Sequence, residues 1–158
     1  MSNHKIEVVL PLAGQGQRFK DAGILTPKPL ILYRNKPLFI WALNSLREIL
    51  PYARITLVFL KSDIMTKGFC EGLNSINNGF SYQFIELGEP TSGPAETLLQ
   101  AASHIRSDLP FLSLDCDLHF SSKEYFDHVL NCIDGLTTHG AICTFASNDP
   151  RFSFAATD

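Results

Sequence analysis

No apolar run in this chain approaches the roughly 18–20 residues needed to cross a bilayer as a helix, so no membrane partner is expected. No leader is visible: Met1-Ser2-Asn3-His4-Lys5 passes directly into an apolar segment, without the separate apolar core that a secretory signal carries. Cysteine is scarce. The four, Cys70, Cys116, Cys132 and Cys143, form no C-x-x-C pair, which argues against structural zinc and a disulfide framework and fits a reducing cytoplasm. Histidines 4, 104, 119, 128 and 139 show no metal-ligand spacing and no partner nucleophile. Positive charge is also in deficit, 13 Lys and Arg against 16 Asp and Glu, for a net charge of −3. Non-specific nucleic-acid binding needs clustered Lys and Arg, so nucleic acid is not an expected partner. Internal repeats and low-complexity linkers are absent.

What is present is an ordinary globular composition, 45% hydrophobic and 18% charged over 158 residues, enough for one domain with a substantial core. Strands are expected at Ile6–Leu12, Arg54–Leu60, Tyr82–Leu87, Leu109–Leu114 and Gly140–Phe145. The central ones are continuous apolar runs, as suits strands buried on both faces of a parallel sheet. A helix from Asn35-Lys36-Pro37 to Pro51 shows the 3.6-residue period in Phe39, Ala42, Leu43, Leu46, Ile49 and Leu50. A weaker helix is expected over Ser62–Ile76, then a turn at Asn77-Asn78-Gly79. A third opens at Ser92-Gly93-Pro94, with Ala95, Leu98, Leu99, Ala102 and Ile105 as its apolar face. A fourth, to about Ile133, opens on a capping box at Ser121-Ser122-Lys123-Glu124. The β-α-β-α order predicts an α/β fold, a Rossmann-like, mostly parallel sheet with flanking helices.

The most informative stretch runs from Leu12 to Leu30. A strand delivers Gly14 and Gly16 into a loop, Arg18 follows, and Lys28 stands between Pro27 and Pro29. Glycines let main-chain N–H groups approach phosphate oxygens and tolerate positive φ. Arg18 supplies a forked donor and Lys28 a point charge restricted by its prolines. Phe19 stands where the dinucleotide fingerprint needs its third glycine, and no G-K-S or G-K-T makes this a P-loop. The second informative stretch is Asp115-Cys116-Asp117. Alternation along an extended chain puts both carboxylates on one side. A pair at a strand's carboxyl end suits a hard cation such as Mg²⁺, although a solvated turn explains an isolated pair equally well. Open α/β sheets bind ligands at that end, close to the glycine loop.

G-x-G-x-R-F followed by P-K-P-L resembles the signature of the sugar-phosphate nucleotidyltransferases, the pyrophosphorylases that make NDP-sugars. Gly14, Gly16, Arg18, Pro27 and Lys28 match residue by residue, with Gln17 in place of a small residue. The resemblance implies the nucleotide-diphospho-sugar transferase fold. It implies catalytic roles for Arg18 and Lys28, and nucleotide contacts from Leu12, Ala13, Gly14, Gly16, Thr91, Ser92 and Gly93. Gly93-Pro94-Ala95 is similar to a G-T-A segment beside the base, and Thr91 stands where some members have a base-reading Gln. The family's metal-ligating Asp maps to Asp117, with Asp115 acting behind it or through water. The implied reaction joins a nucleoside triphosphate and a sugar 1-phosphate, with Mg²⁺, to give NDP-sugar and pyrophosphate, by family association for polysaccharide assembly. The tail from Arg151 to Asp158 resembles the start of the family's sugar-binding half. The expectation is therefore one nucleotidyltransferase-like domain over residues 1–158, truncated at its C-terminus, with the sugar-binding part largely absent. Other readings stay open: a different phosphorylated acceptor such as phosphocholine or an alditol phosphate, a D-x-D glycosyltransferase, or a non-catalytic nucleotide-binding domain. A homo-oligomer is compatible with all of them.

Overall fold

The computed structural model describes residues 4–64, 82–106, 108–137 and 139–150. Two compact units divide the chain, residues 1–121 and 122–158. The first is built on β1, Ile6–Pro11, whose six residues are all buried. An apolar run without charge alternation can hide both faces only at the middle of a sheet, and β1 lies there. Its parallel neighbours are β4 (Ala53–Leu60) and β6 (Phe111–Ser113), and β5 (Tyr82–Leu87) pairs parallel to β4. The sheet order is β5-β4-β1-β6. The expected mostly parallel α/β sheet is what the chain forms.

The strand boundaries differ from expectation only at the ends. Leu12 has left β1, yet its N–H still donates to Val58 O, and Leu114 N–H to Val9 O, just past β6. Both chains therefore leave the sheet still tethered to it. Core packing on one face joins Val9, Val58 and Ile85 to Ala101 of helix α4 (Pro94–Ala101), with Leu87, Leu98 and Ile105 against them. The buried face of α4 is carried by Thr97 and Ala101, whereas Leu99 is 73% exposed, so the helix is rotated from the apolar face expected.

Glu7 is the one charged residue in β1 and is fully buried. Arg54, opposite it in register on β4, lies 2.9 Å from its carboxylate. The Arg106 N–H also donates to it at 3.4 Å, and the Arg54 guanidinium donates onward to the His104 carbonyl. This closed polar cluster sits near the amino end of the sheet, away from the carboxyl ends where the loops gather.

The first expected helix is shorter than its apolar period suggested. Leu32–Tyr33 (β2) and Lys36–Pro37 (β3) form an antiparallel hairpin, and α2 covers Leu38–Ser45. Arg34 and Asn35 turn the hairpin with φ of 48° and 62°. Two consecutive left-handed residues make the primed turn that matches strand twist. Short helices α1 (Gln17–Asp21) and α3 (Lys61–Ile64) follow β1 and β4. The rest of the expected Ser62–Ile76 helix, the 77–79 turn and the 151–158 tail lie outside the described residues.

In the second unit, α5 (Lys123–Ile133) begins at Ser122, whose hydroxyl accepts the Tyr125 N–H at 3.2 Å. The cap is thus Ser122, not Ser121, and Glu124 is not placed to close a capping box. Ser122→Ala is expected to cost about 1 kcal/mol, read as a lower urea midpoint for loss of helical signal. The expected strand at Gly140–Phe145 is not formed: Ile142 is 82% and Phe145 65% exposed, and no strand among the described residues pairs with it. An extended segment gains its hydrogen bonds only at a sheet edge.

Candidate functional site

Three loops leave the carboxyl ends of β1, β5 and β6 and enclose a cavity of about 860 Å³. The loop after β1 and the loop after β5 are stitched together beyond β4, which separates their strands. Gly14 bridges Thr91 in parallel fashion, and the Thr91 N–H donates to Ala13 O at 3.3 Å. Thr91 is buried, and its hydroxyl lies 2.6 Å from that of Thr97 in the first turn of α4. The Ser92 N–H and hydroxyl both donate to Glu96, at 2.7 and 2.6 Å. These bonds, the hydroxyl first, hold the Glu96 carboxyl below the usual glutamate range. The loop that carries Thr91, Ser92 and Gly93 is therefore fixed to its own helix.

The two glycines of the first loop differ. Gly16 has φ of 61°, and a Cβ built on it would lie 3.3 Å from Lys28 Cβ. Gly14 needs no positive φ, and a Cβ there meets nothing within 4 Å. Gly16→Ala is expected to cost about 1–2 kcal/mol through the left-handed backbone alone, measured by urea unfolding, and to push Lys28 from its place. Gly14→Ala should leave stability nearly unchanged and add a methyl group to the cavity wall.

Lys28 begins a 3₁₀ turn, Lys28–Leu30, directly after Pro27, and Pro29 is buried behind it. Its Nζ reaches across the cavity to Asp117 Oδ1 at 2.9 Å. Burial alone lowers an ammonium pKa, but the hydrogen bond to Asp117 and the Asp117 and Asp115 charges outweigh it, so Lys28 is held above the ordinary lysine value. Arg18 lies exposed on α1 and makes no ion pair among the described residues.

Asp115 and Asp117 both line the cavity. Strand alternation is not what places them there, because β6 ends at Ser113 and the Leu118 N–H donates to Asp115 O, making a turn. Cys116 between them is buried, and burial pushes its thiol up to about 12. The segment after Asp117 is anchored on α2. The Phe120 N–H donates to the buried Ser45 hydroxyl at 3.0 Å, and the His119 ring meets the Trp41 edge at 5.3 Å. Trp41 itself donates to Tyr33 O at 2.8 Å. Trp41 and His119 thus position a loop and lie outside the cavity wall.

All the residues expected to be catalytic, nucleotide-binding or metal-ligating line this one cavity except Ala13, which is buried behind it; Pro27 and Ala95 of the matched motifs do not line it. Thr97, Gln15 and Phe19 line it as well and were not foreseen. Thr97 had only one signal, a small hydroxyl residue in a helix's first turn. No group of three or more His, Cys, Asp or Glu among the described residues is arranged to hold a metal ion. Two carboxylates remain. That donor set fits Mg²⁺, which is held by one or two carboxylates together with phosphate oxygens and water. It does not fit a metal held by protein alone. No helix among the described residues is long and apolar enough to cross a membrane.

Residues 8–155 match the family described as the MobA-like NTP transferase domain. The chain belongs to that family, in keeping with the nucleotidyltransferase motifs in its sequence. No curated protein matches it. A solved nucleoside-diphosphate-sugar pyrophosphorylase from Vibrio cholerae RC9 is similar in fold, with TM-score 0.59 and 22% identity, over 77% of this chain and 52% of that one. So is the inositol-1-phosphate CTP transferase from T. maritima, with TM-score 0.55 and 19% identity, over 75% of this chain and 45% of that one. The chain spans about half the length of these structures.

Proposed function

We propose that this MobA-like domain is the nucleotide-binding part of an enzyme that transfers an NMP group from an NTP to a sugar 1-phosphate, releasing pyrophosphate. The observation that carries the proposal is the convergence of Arg18, Lys28, Asp115 and Asp117 on one cavity walled by the Gly14–Gly16 loop. Two cations suit a bound polyphosphate, and the two carboxylates beside them would hold a divalent ion that neutralises its charge.

In this reading a phosphate oxygen of the acceptor attacks the α-phosphorus in line, the new P–O bond forms, and the bond to pyrophosphate breaks. The nucleophile is already an anion, so no residue need act as a general base. Positioning and charge neutralisation then do the catalysis. Arg18 grips the triphosphate from α1. Lys28 neutralises charge near the reacting phosphorus. Leu12, Ala13, Gly14 and Gly16 form the loop against the nucleotide, and the Thr91–Gly93 segment lies beside the base. Because the Thr91 hydroxyl is already paired with Thr97, and the Ser92 N–H and hydroxyl with Glu96, base discrimination falls to the remaining main-chain groups of the segment. Asp117, with Asp115 beside it, would hold Mg²⁺, which when bound supplies charge stabilisation and orients the leaving pyrophosphate.

The acceptor class is a phosphomonoester. A sugar 1-phosphate is the reading the motifs favour, and another polyol phosphate, a cyclitol phosphate such as inositol phosphate or an alditol phosphate, is the second, suggested by the T. maritima enzyme's likeness in fold. A cytoplasmic supply of NDP-sugar for polysaccharide assembly follows from the first. The test is pyrophosphate release by the whole protein that carries this chain, across NTPs and phosphomonoester acceptors. Release that requires one NTP and a sugar 1-phosphate supports the proposal. Release with no sugar 1-phosphate in the panel removes the sugar assignment, and no release with any pair removes the reaction.

A further inference from the structure

We propose that Lys28 is the built-in counter-ion of Asp117 in the nucleotide-free protein, and that it keeps divalent cations off that carboxylate until a polyphosphate draws its ammonium away. This deepens the proposed function and rests on it for the identity of the polyphosphate.

Four observations converge. The Lys28 ammonium already sits on Asp117 Oδ1 at 2.9 Å, where a cation would coordinate. The two side chains are 28% and 42% exposed, so the pair is open to the cavity and exchangeable rather than sealed. The stem is confined at its root, where a Cβ built on Gly16 would lie 3.3 Å from Lys28 Cβ and buried Pro29 follows in the backbone. Beyond Cβ, the flexible aliphatic stem lets a lysine ammonium swing while its backbone stays put. Finally, the described residues offer no three-ligand cluster, so a divalent ion in the empty site would have to rely on Asp115, Asp117 and water while facing an ammonium at contact distance. Like charges that close repel strongly.

The order of events follows from which cation is already engaged. Arg18 makes no ion pair among the described residues and is exposed on the cavity wall, so it meets the incoming phosphates first. The phosphates then offer the Lys28 ammonium a second anion. As it moves to them, it uncovers Asp117 at the moment when phosphate oxygens arrive to complete the coordination of the metal. Lysine and metal thereby trade places on one carboxylate, and by linkage each ligand strengthens the other's binding.

The test needs neither nucleotide nor turnover. Mn²⁺ binding to the nucleotide-free protein would be followed by electron paramagnetic resonance. Lys28→Met keeps the stem and removes the charge, with Lys28→Gln as a second variant and circular dichroism confirming that each folds. The wild type should bind weakly, and both variants at least tenfold more tightly. Adding Asp117→Asn to Lys28→Met should abolish the gain. Lys20→Met, which removes a charge from α1 outside the cavity wall, should change the affinity by less than twofold. Unchanged affinity in both Lys28 variants, a gain that survives Asp117→Asn, or an equal gain in Lys20→Met would each overturn the proposal. Because the readout is metal binding in the empty protein, a failed turnover assay with the expected Mn²⁺ result rejects the reaction and leaves the counter-ion role standing. The reverse pattern rejects only the counter-ion role.

Discussion

Lys28→Ala is expected to lower nucleotidyl transfer by the whole protein at least tenfold, about 1.4 kcal/mol or more of transition-state stabilisation. Truncation removes the only ammonium the described residues place on the cavity wall. In the proposed mechanism it also removes the group that neutralises charge near the reacting phosphorus, leaving Arg18 as the one cation lining the cavity among the described residues. Arg18→Ala is expected to cost at least as much in kcat/KM but through a different step. An exposed guanidinium on α1 acts in capture, so its loss should raise the KM for NTP, whereas loss of Lys28 should fall mainly on kcat. Steady-state kinetics over a range of NTP concentrations separates the two. Near-normal kinetics in either variant would remove that residue from the mechanism.

The second large effect concerns stability and lies at the other end of the sheet. Arg54→Ala is expected to destabilise the protein by about 3–5 kcal/mol, because it strands a buried carboxylate in the central strand. Glu7 is fully buried, and among the described residues Arg54 Nε is the side-chain cation paired with it, at 2.9 Å. For a chain of this size that cost lowers the melting temperature by roughly 6–20 °C, measured by calorimetry. Arg106→Ala is the matched control. Its backbone N–H still donates to Glu7, and it loses an ion pair to Asp108 in which both partners are exposed, together with a lesser charge interaction with Glu7. Solvent and salt screen such exposed pairs, so they contribute little to stability. Equal losses in the two variants would show that the Glu7 pair does not carry the strand.

How far the sequence was readable depended on how local each determinant is. The largely apolar runs Ile6–Leu12, with one Glu inside it, and Arg54–Leu60 announced buried parallel strands because both faces must be apolar there. The glycine loop, the P-K-P segment and the Asp pair were legible for the same reason: each is short and chemically distinctive. The Leu32–Pro37 hairpin was not, since Arg34-Asn35 turns it without glycine and Lys36-Pro37 reads equally well as a helix start. The rotation of α4 was hidden because Thr97, a polar residue, is buried to pair with Thr91, while Leu99 is left exposed. Gly140–Phe145 has the apolar content of a strand, but pairing depends on an edge that no local pattern encodes. The Lys28–Asp117 pair joins two motifs far apart in the chain. The motifs were readable one at a time, and only the fold brings them to 2.9 Å.

The most direct test of the central claim is the melting temperature of this chain with each NTP in turn, with and without Mg²⁺. A ligand that binds only the native state stabilises it by about 2.7 kcal/mol at a hundredfold excess over Kd, which raises the midpoint by roughly 5 °C or more. The account predicts such a rise for one NTP, larger with Mg²⁺ and lost in Arg18→Ala. A midpoint that no NTP moves, in this chain and in the whole protein that carries it, would contradict a nucleotide site in this cavity.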